Sequence, residues 1–256
     1  MIHPTAIVDA RARLDSTVEV GPYSVIGPDV EIGPGTRIGP HVVVKGPTTI
    51  GANNRIFQFA SVGEDCQDKK YKGEPTRLEI GDENTIREFC SIHRGTVQDN
   101  SLTKIGSRNL LMTNVHVAHD CVIGNDTIIA AGSGISGHVH IGDGVILGGM
   151  TGIHQFCKVG AYAMTAGCSL VVKDIPAYVM VGGNPASAFG MNFEGMRRRG
   201  WSPDVINTLR RAYKTVFRES LTLENAIKEL EPLVADCPEL QPFVESLKTS
   251  ERGITR

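Results

Sequence analysis

No C-x-x-C pair links any of the six cysteines (Cys66, Cys90, Cys121, Cys157, Cys168 and Cys237), a pattern that reads as reduced thiols in the cytoplasm. No apolar run approaches the roughly 20 residues of a bilayer-spanning helix, so no stable membrane insertion is expected. No segment precedes the repeat that begins at residue 2, so a signal peptide is not expected and the expected compartment is the cytoplasm. Neither sign of charge is in large excess: the formal net charge of −2 excludes nothing by itself, and no nucleic-acid partner is expected. The composition is otherwise that of a soluble globular protein with one large and one small domain.

What is present is a repeat. Read at every sixth residue, an aliphatic register runs unbroken from Ile2, Val8, Leu14 and Val20 to Val62. It returns at Ile80, Ile86 and Ile92, and again from Ile105 to Val159, with Thr165 off pattern and Val171 closing it. Glycine often follows the aliphatic residue, as at Gly27, Gly33, Gly51 and Gly124, and these glycines are expected to mark corners. A period of six is neither the three-and-four recurrence of a helix nor the alternation of a strand. It fits short strands joined by tight turns, three to a coil, which predicts a hexapeptide parallel β-helix. Residues eighteen apart then stack at about 4.8 Å, and about nine coils give a prism of roughly 43 Å.

Aliphatic side chains fill the axis of such a prism, so polar residues must act from its outer surface. A deep ligand site then needs a second wall, from a neighbouring subunit or a protruding insertion, and an oligomer is expected. Two polar insertions break the register, near residues 64–78 and 94–104, and both read as external loops. In the second, His93 reads as structural. The repeat ends near Pro176 and Pro185, giving a β-helical domain over 1–190 and a small α-helical domain over 191–256. Residues 192–217 carry Val205, Ile206, Leu209, Ala212, Tyr213 and Val216 at helical spacing beside Arg197, Arg198, Arg199, Arg210, Arg211 and Lys214. Further helices are expected over 222–234 and 239–247. The local excess of positive charge suits an acidic partner.

The chemistry concentrates in Asn114-Val115-His116-Val117-Ala118-His119-Asp120. One coil of eighteen sets Gly137 over His119 and His138 over Asp120. A neutral His119 imidazole at an outer turn can take a proton from a hydroxyl, with Asp120 or another carboxylate orienting it, while the Gly137 amide holds a developing oxyanion. A general base supplies roughly 10² to 10⁴-fold and one oxyanion donor roughly 10² to 10³-fold, which suits acyl transfer. His116, His119, His138 and His154 crowd consecutive coils, so a zinc hydratase centre is the rival enzyme class. A β-helix used only as a scaffold explains the repeat but not the histidines.

The run His116-Val117-Ala118-His119-Asp120, the pair His154-Gln155, the segment Ile92-His93-Arg94-Gly95-Thr96-Val97-Gln98 and the segment Asn192-Phe193-Glu194-Gly195-Met196-Arg197-Arg198 resemble the UDP-N-acetylglucosamine O-acyltransferases of lipid A biosynthesis, over essentially the whole chain. The resemblance implies a mostly β fold, a left-handed parallel β-helix, although the usual crossover is right-handed. It implies a homotrimer that moves an (R)-3-hydroxyacyl group from acyl carrier protein to the 3-hydroxyl of UDP-N-acetylglucosamine. The acyl donor rides on the carrier's phosphopantetheine, and no cofactor or metal is implied. By the same resemblance His119 matches the general base and Gly137 the oxyanion donor. Asp68, Lys70, His116, His138, His154 and Gln155 match the lining of the sugar and acyl site between subunits. Asn192, Glu194, Arg198 and Arg199 match the nucleotide-binding group, where guanidinium forks suit phosphate. Acyl carrier proteins are acidic, which gives Arg210, Arg211 and Lys214 a partner.

Two departures stand out. Ala131-Gly132 replaces a pair of asparagines common in the family, so no side-chain amide ladder is expected at that turn. By the same resemblance Gly167 matches the position that helps measure the acyl chain in the family, and a glycine there implies preference for a longer hydroxyacyl group.

Overall fold

The computed structural model describes all residues, 1–256. Short strands form three parallel faces of a left-handed β-helix. The first face has nine strands, from Ile7–Val8 to Leu170–Val171; the second has eight, from Arg13–Leu14 to Lys158–Val159. The third has ten and ends in an antiparallel hairpin, Val179–Gly183 with Ala186–Met191. The eighteen-residue step is literal, as in Ile128 beside Ile146. Across the two insertions Val62 still meets Ile92 and Ile80 meets Ile105, so both excursions leave the stack in register.

Inward positions make one contiguous core that also takes in the C-terminal helices. Thr165, off the aliphatic pattern, is fully buried, where its hydroxyl bonds the Gly148 amide (2.9 Å) and the Thr151 hydroxyl (2.9 Å). A buried hydroxyl with partners avoids the cost of an unpaired one. A true amide ladder lies elsewhere than at Ala131-Gly132. The Asn84 amide donates to Asn54 Oδ1 (3.0 Å), the Asn109 backbone N–H to Asn84 Oδ1 (2.9 Å), and the Thr127 hydroxyl to Asn109 Oδ1 (2.8 Å).

The corners correct one expectation. The glycine after each aliphatic residue is not the turn residue. Left-handed φ falls two positions later, on Tyr23 (59°), Phe59 (64°), Asp120 (58°) and His138 (62°), most often on residues other than glycine. Glycines such as Gly33, Gly51, Gly81, Gly106 and Gly124 instead stack coil upon coil. A Cβ on Gly33 would stand 2.8 Å from the backbone of Gly51, closer than any side chain tolerates.

Beyond the hairpin come α1 (Phe193–Arg198), α2 (Pro203–Phe217), α3 (Leu223–Leu230) and α4 (Gln241–Lys248). The basic region therefore forms two helices, separated at Gly200 and restarted by the Ser202 cap and Pro203. Helix α2 buries Ile206, Leu209, Ala212, Tyr213 and Val216, leaving Arg210, Arg211 and Lys214 exposed. The chain end returns to the prism, where one oxygen of buried Asp174 accepts from the Ser250 hydroxyl (2.8 Å) and the Glu251 amide (3.0 Å).

Candidate active site

The corner between the first and second faces carries His119 and Asp120. Asp120 takes the left-handed φ, which a short polar side chain adopts more readily than most, and its carboxylate is buried against Gly95 and Thr96 of the second insertion. Asp120 Oδ2 lies 2.8 Å from His119 Nδ1 and accepts from the Thr96 hydroxyl (2.6 Å), while Oδ1 accepts from the Thr96 amide (2.8 Å). Burial pushes the carboxyl pKa up, but the hydrogen bonds from His119 and Thr96 outweigh it and hold the group below the usual carboxylate range. This contact selects the tautomer in which a neutral His119 donates Nδ1–H to the carboxylate and keeps the Nε2 lone pair free.

That nitrogen meets Gly137, which lies one coil over His119 as the spacing predicts. A Cβ on Gly137 would stand 2.7 Å from Nε2, so only a glycine fits against the ring. The Gly137 amide has no acceptor within the chain. His138 stacks over Asp120, its ring edge-on to His119 at 5.0 Å between centroids, with Nδ1 held by Asp99 Oδ2 at 2.9 Å. Burial, followed by the like charges of His93 and His119, lowers the pKa of His116 and favours the neutral ring. His116 Nδ1 lies 2.8 Å from the Ser91 hydroxyl.

Both insertions are more structural than the sequence suggested. His93, Arg94, Gly95 and Thr96 are buried. The Arg94 guanidinium donates to Gly63 O, Asp65 Oδ1 and the Tyr71 hydroxyl, tying the first loop to the prism. His93, expected to be structural, does bond Asp65 O through Nδ1 (2.6 Å), yet it also stands edge-on to His116 in the cleft wall. A cleft of ≈ 550 Å³ runs over the first face between the first loop and the His119 corner. It is lined by Asp68, His116, His119, Gly137 and His154, together with Gln67, which the sequence did not single out. Its floor is Gly134 and Gly152, and Leu170 stands at the end of that row.

The structure does not bring every expected residue to this cleft. His138, Lys70 and Gln155 lie outside its lining, the last two exposed beside it, and Gly167 sits at the corner between the third and first faces. Asn192 caps α1 by accepting from the Gly195 amide (2.9 Å), and Glu194 pairs with Arg198 (3.3 Å). Arg199 lies over the ring of Tyr162 (4.2 Å), at the corner between the second and third faces. Within one chain these groups belong to a different corner from the cleft. The four-histidine zinc arrangement is not what the fold assembles. The convergent group is His119, Asp120 and His138, with ligating atoms within 4.8 Å of one another, and both Asp120 oxygens and His119 Nδ1 are already paired.

Thr96, Asp99 and Gln67 were missed because they sit in the insertions, where no period relates sequence to space. Apart from the place of Thr96 in the segment Ile92–Gln98, the only signal is their density of polar side chains.

Comparison with known proteins fits this geometry. The family described as "Udp N-acetylglucosamine O-acyltransferase; Domain 2" matches residues 174–255, and "Bacterial transferase hexapeptide (six repeats)" matches 11–46 and 102–137. An acyl-(acyl-carrier-protein)–UDP-N-acetylglucosamine O-acyltransferase of Stutzerimonas stutzeri is 57% identical over 256 residues, covering 100% of this chain and 99% of the relative. The structure of LpxA from Acinetobacter baumannii superposes with a TM-score of 0.98 at 60% identity, and that of the UDP-N-acetylglucosamine O-acyltransferase of Moraxella catarrhalis with 0.99 at 52%. Both superpositions cover 100% of this chain and 99% of the solved one. A hexapeptide prism with a His–Asp pair facing a bare glycine amide, matched end to end by these relatives, thus belongs to an acyltransferase of the acyl-(acyl-carrier-protein)–UDP-N-acetylglucosamine O-acyltransferase family.

Proposed function

We propose that this chain transfers an (R)-3-hydroxyacyl group from the phosphopantetheine thioester of acyl carrier protein to the 3-hydroxyl of UDP-N-acetylglucosamine, the first step of lipid A biosynthesis. The observation that carries the mechanism is the pairing of His119 Nε2 with Gly137 at one corner, backed by a carboxylate on Nδ1. His119 Nε2 takes the proton of the sugar hydroxyl as its oxygen attacks the thioester carbon. The carbonyl π pair moves onto oxygen, and the Gly137 N–H donates to that oxyanion. The oxyanion re-forms the carbonyl, the C–S bond breaks, and the leaving thiolate takes the proton back from the imidazolium. Asp120 holds the ring in the Nδ1–H tautomer throughout and stabilises the transient cation. No metal or cofactor enters any of these steps.

The cleft is open along the first face, and Arg198 and Arg199 lie at another corner of the same chain. A cytoplasmic homotrimer resolves both facts: a neighbouring copy supplies the second wall and brings basic groups to the pyrophosphate. Asp68, Gln67, His116 and His138 would then contact the sugar and the acyl head. The exposed Arg210, Arg211 and Lys214 border a polar hollow on α2 and suit an acidic carrier protein. Incubating the purified chain with a hydroxyacyl carrier thioester and UDP-N-acetylglucosamine, then reading mass and acylation site, tests the reading. A 3-O-acyl product is expected; no acylated sugar nucleotide, or acylation at another hydroxyl, would end it.

A further inference from the structure

We propose that Thr96 is the positioning residue of the His119–Asp120 pair: its hydroxyl and amide clamp both Asp120 oxygens in the orientation that receives the His119 Nδ1–H. This rests on the reading of His119 as general base.

Asp120 has two imidazole neighbours. His119 Nδ1 lies 2.8 Å from Oδ2, but His138 Nε2 lies only 3.9 Å from the same oxygen. A small rotation of the carboxylate would exchange one partner for the other. Two-point attachment by Thr96, at 2.6 Å and 2.8 Å, forbids that rotation. The clamp is rigid in its turn. Thr96 is 1% exposed, so no bulk water competes for its hydroxyl, and its carbonyl accepts from the Ser101 amide at 3.0 Å. Gly95 lets the loop close this far, since a Cβ there would meet Asp120 Oδ1 at 2.8 Å. From the opposite side the Asp120 amide donates to the Thr103 hydroxyl at 2.8 Å, fixing the backbone beneath the carboxylate. The titratable groups facing Asp120 are His119, His138 with Asp99 on its far nitrogen, and the thiols of Cys66 and Cys121. None of them replaces a hydroxyl donor at Oδ2. The second insertion thereby reaches from outside the repeat to set the tautomer of the base.

Thr96→Val removes the hydroxyl at nearly constant shape and keeps the amide bond. A carboxylate with one donor fewer binds a proton more readily. Whether that proton rests on Asp120 or on His119, the pair takes it up at higher pH. A lost hydrogen bond to a charged group corresponds to about one pH unit, so the acid limb of kcat/KM should rise by about one unit. At pH values below the limb the rate should fall roughly tenfold, with KM for the sugar nucleotide unchanged, because Thr96 touches no substrate. Thr96→Ser should restore both. A merely structural role would lower the profile without moving its acid limb.

The experiment is a pH profile of acyl transfer by the full chain and its Thr96→Val and Thr96→Ser variants, with Thr96→Ala taking the place of valine if that variant does not fold. An unmoved acid limb, or failure of serine to restore it, overturns the proposal. His119→Ala, run alongside, separates the two claims: native activity in that variant would remove the base reading itself, whereas an inactive His119→Ala with an unmoved Thr96→Val profile removes only the role of Thr96.

Discussion

Gly137→Ala separates the base from the oxyanion donor, because alanine keeps the amide while occupying the space in front of His119. The new Cβ would stand 2.6 Å from Cε1 and 2.7 Å from Nε2 of the ring. Carbon atoms settle at about 3.5–4.0 Å, so the imidazole must retreat by about 1 Å. Its Nδ1 is tied to Asp120 at 2.8 Å, which means the retreat strains or breaks that bond. A misplacement of about 1 Å costs on the order of 10²-fold in rate. Stability should change little by comparison. Loss of a hydrogen bond to a charged group costs about 1.5–3 kcal/mol, and Gly→Ala returns about 0.4–1 kcal/mol through the unfolded chain, since Gly137 has no left-handed φ to forfeit. The expected result is a kcat lower by about two orders of magnitude with a Tm lower by only a few degrees. Measured by mass spectrometry of the product, activity within about threefold of native would refute the close packing as a requirement of catalysis.

Three further outcomes follow from the same geometry. Asn84→Ala leaves Asn54 Oδ1 without its side-chain donor and Asn109 without its acceptor at 0–2% exposure, which should cost about 2–4 kcal/mol and lower the denaturation midpoint without altering KM; an unchanged midpoint would contradict the ladder's role. Charge reversal at Arg210 and Arg211, both exposed, should weaken carrier-protein binding roughly tenfold or more at low salt and flatten its salt dependence, by titration at two ionic strengths; an unchanged affinity would dissociate α2 from the carrier. Gly167→Met has room, since a Cβ there first meets Gly149 O at 3.5 Å, and should shift preference toward shorter hydroxyacyl chains in a competition of thioesters. Equal use of all lengths by the native chain would remove Gly167 as a determinant.

The prism was legible because a β-helix maps sequence distance onto space: eighteen residues is one coil, so Gly137 over His119 and His138 over Asp120 follow from counting. Counting fails where the chain leaves the coil. Thr96 lies 24 residues from Asp120, and Arg94 lies 29 from Asp65, separations that no period predicts. The corner chemistry was misassigned for a related reason. Local sequence favours glycine as the turn former, whereas the structure places left-handed φ on residues such as Tyr23 and Phe59, whose rings stack along the corner, and uses glycine where coils approach each other. In the helical part, amphipathic spacing identified the buried face of α2 correctly, but hid the break at Gly200 because the arginines run through it.

The proposed acyl transfer turns on His119. Transfer of a hydroxyacyl group from acyl carrier protein to UDP-N-acetylglucosamine, followed by mass spectrometry for the native chain and a folded His119→Ala variant, tests it most directly. Product is expected from the native chain, with a rate lower by roughly 10² to 10⁴-fold in the variant. Native-level transfer by the variant would contradict it and move the base elsewhere.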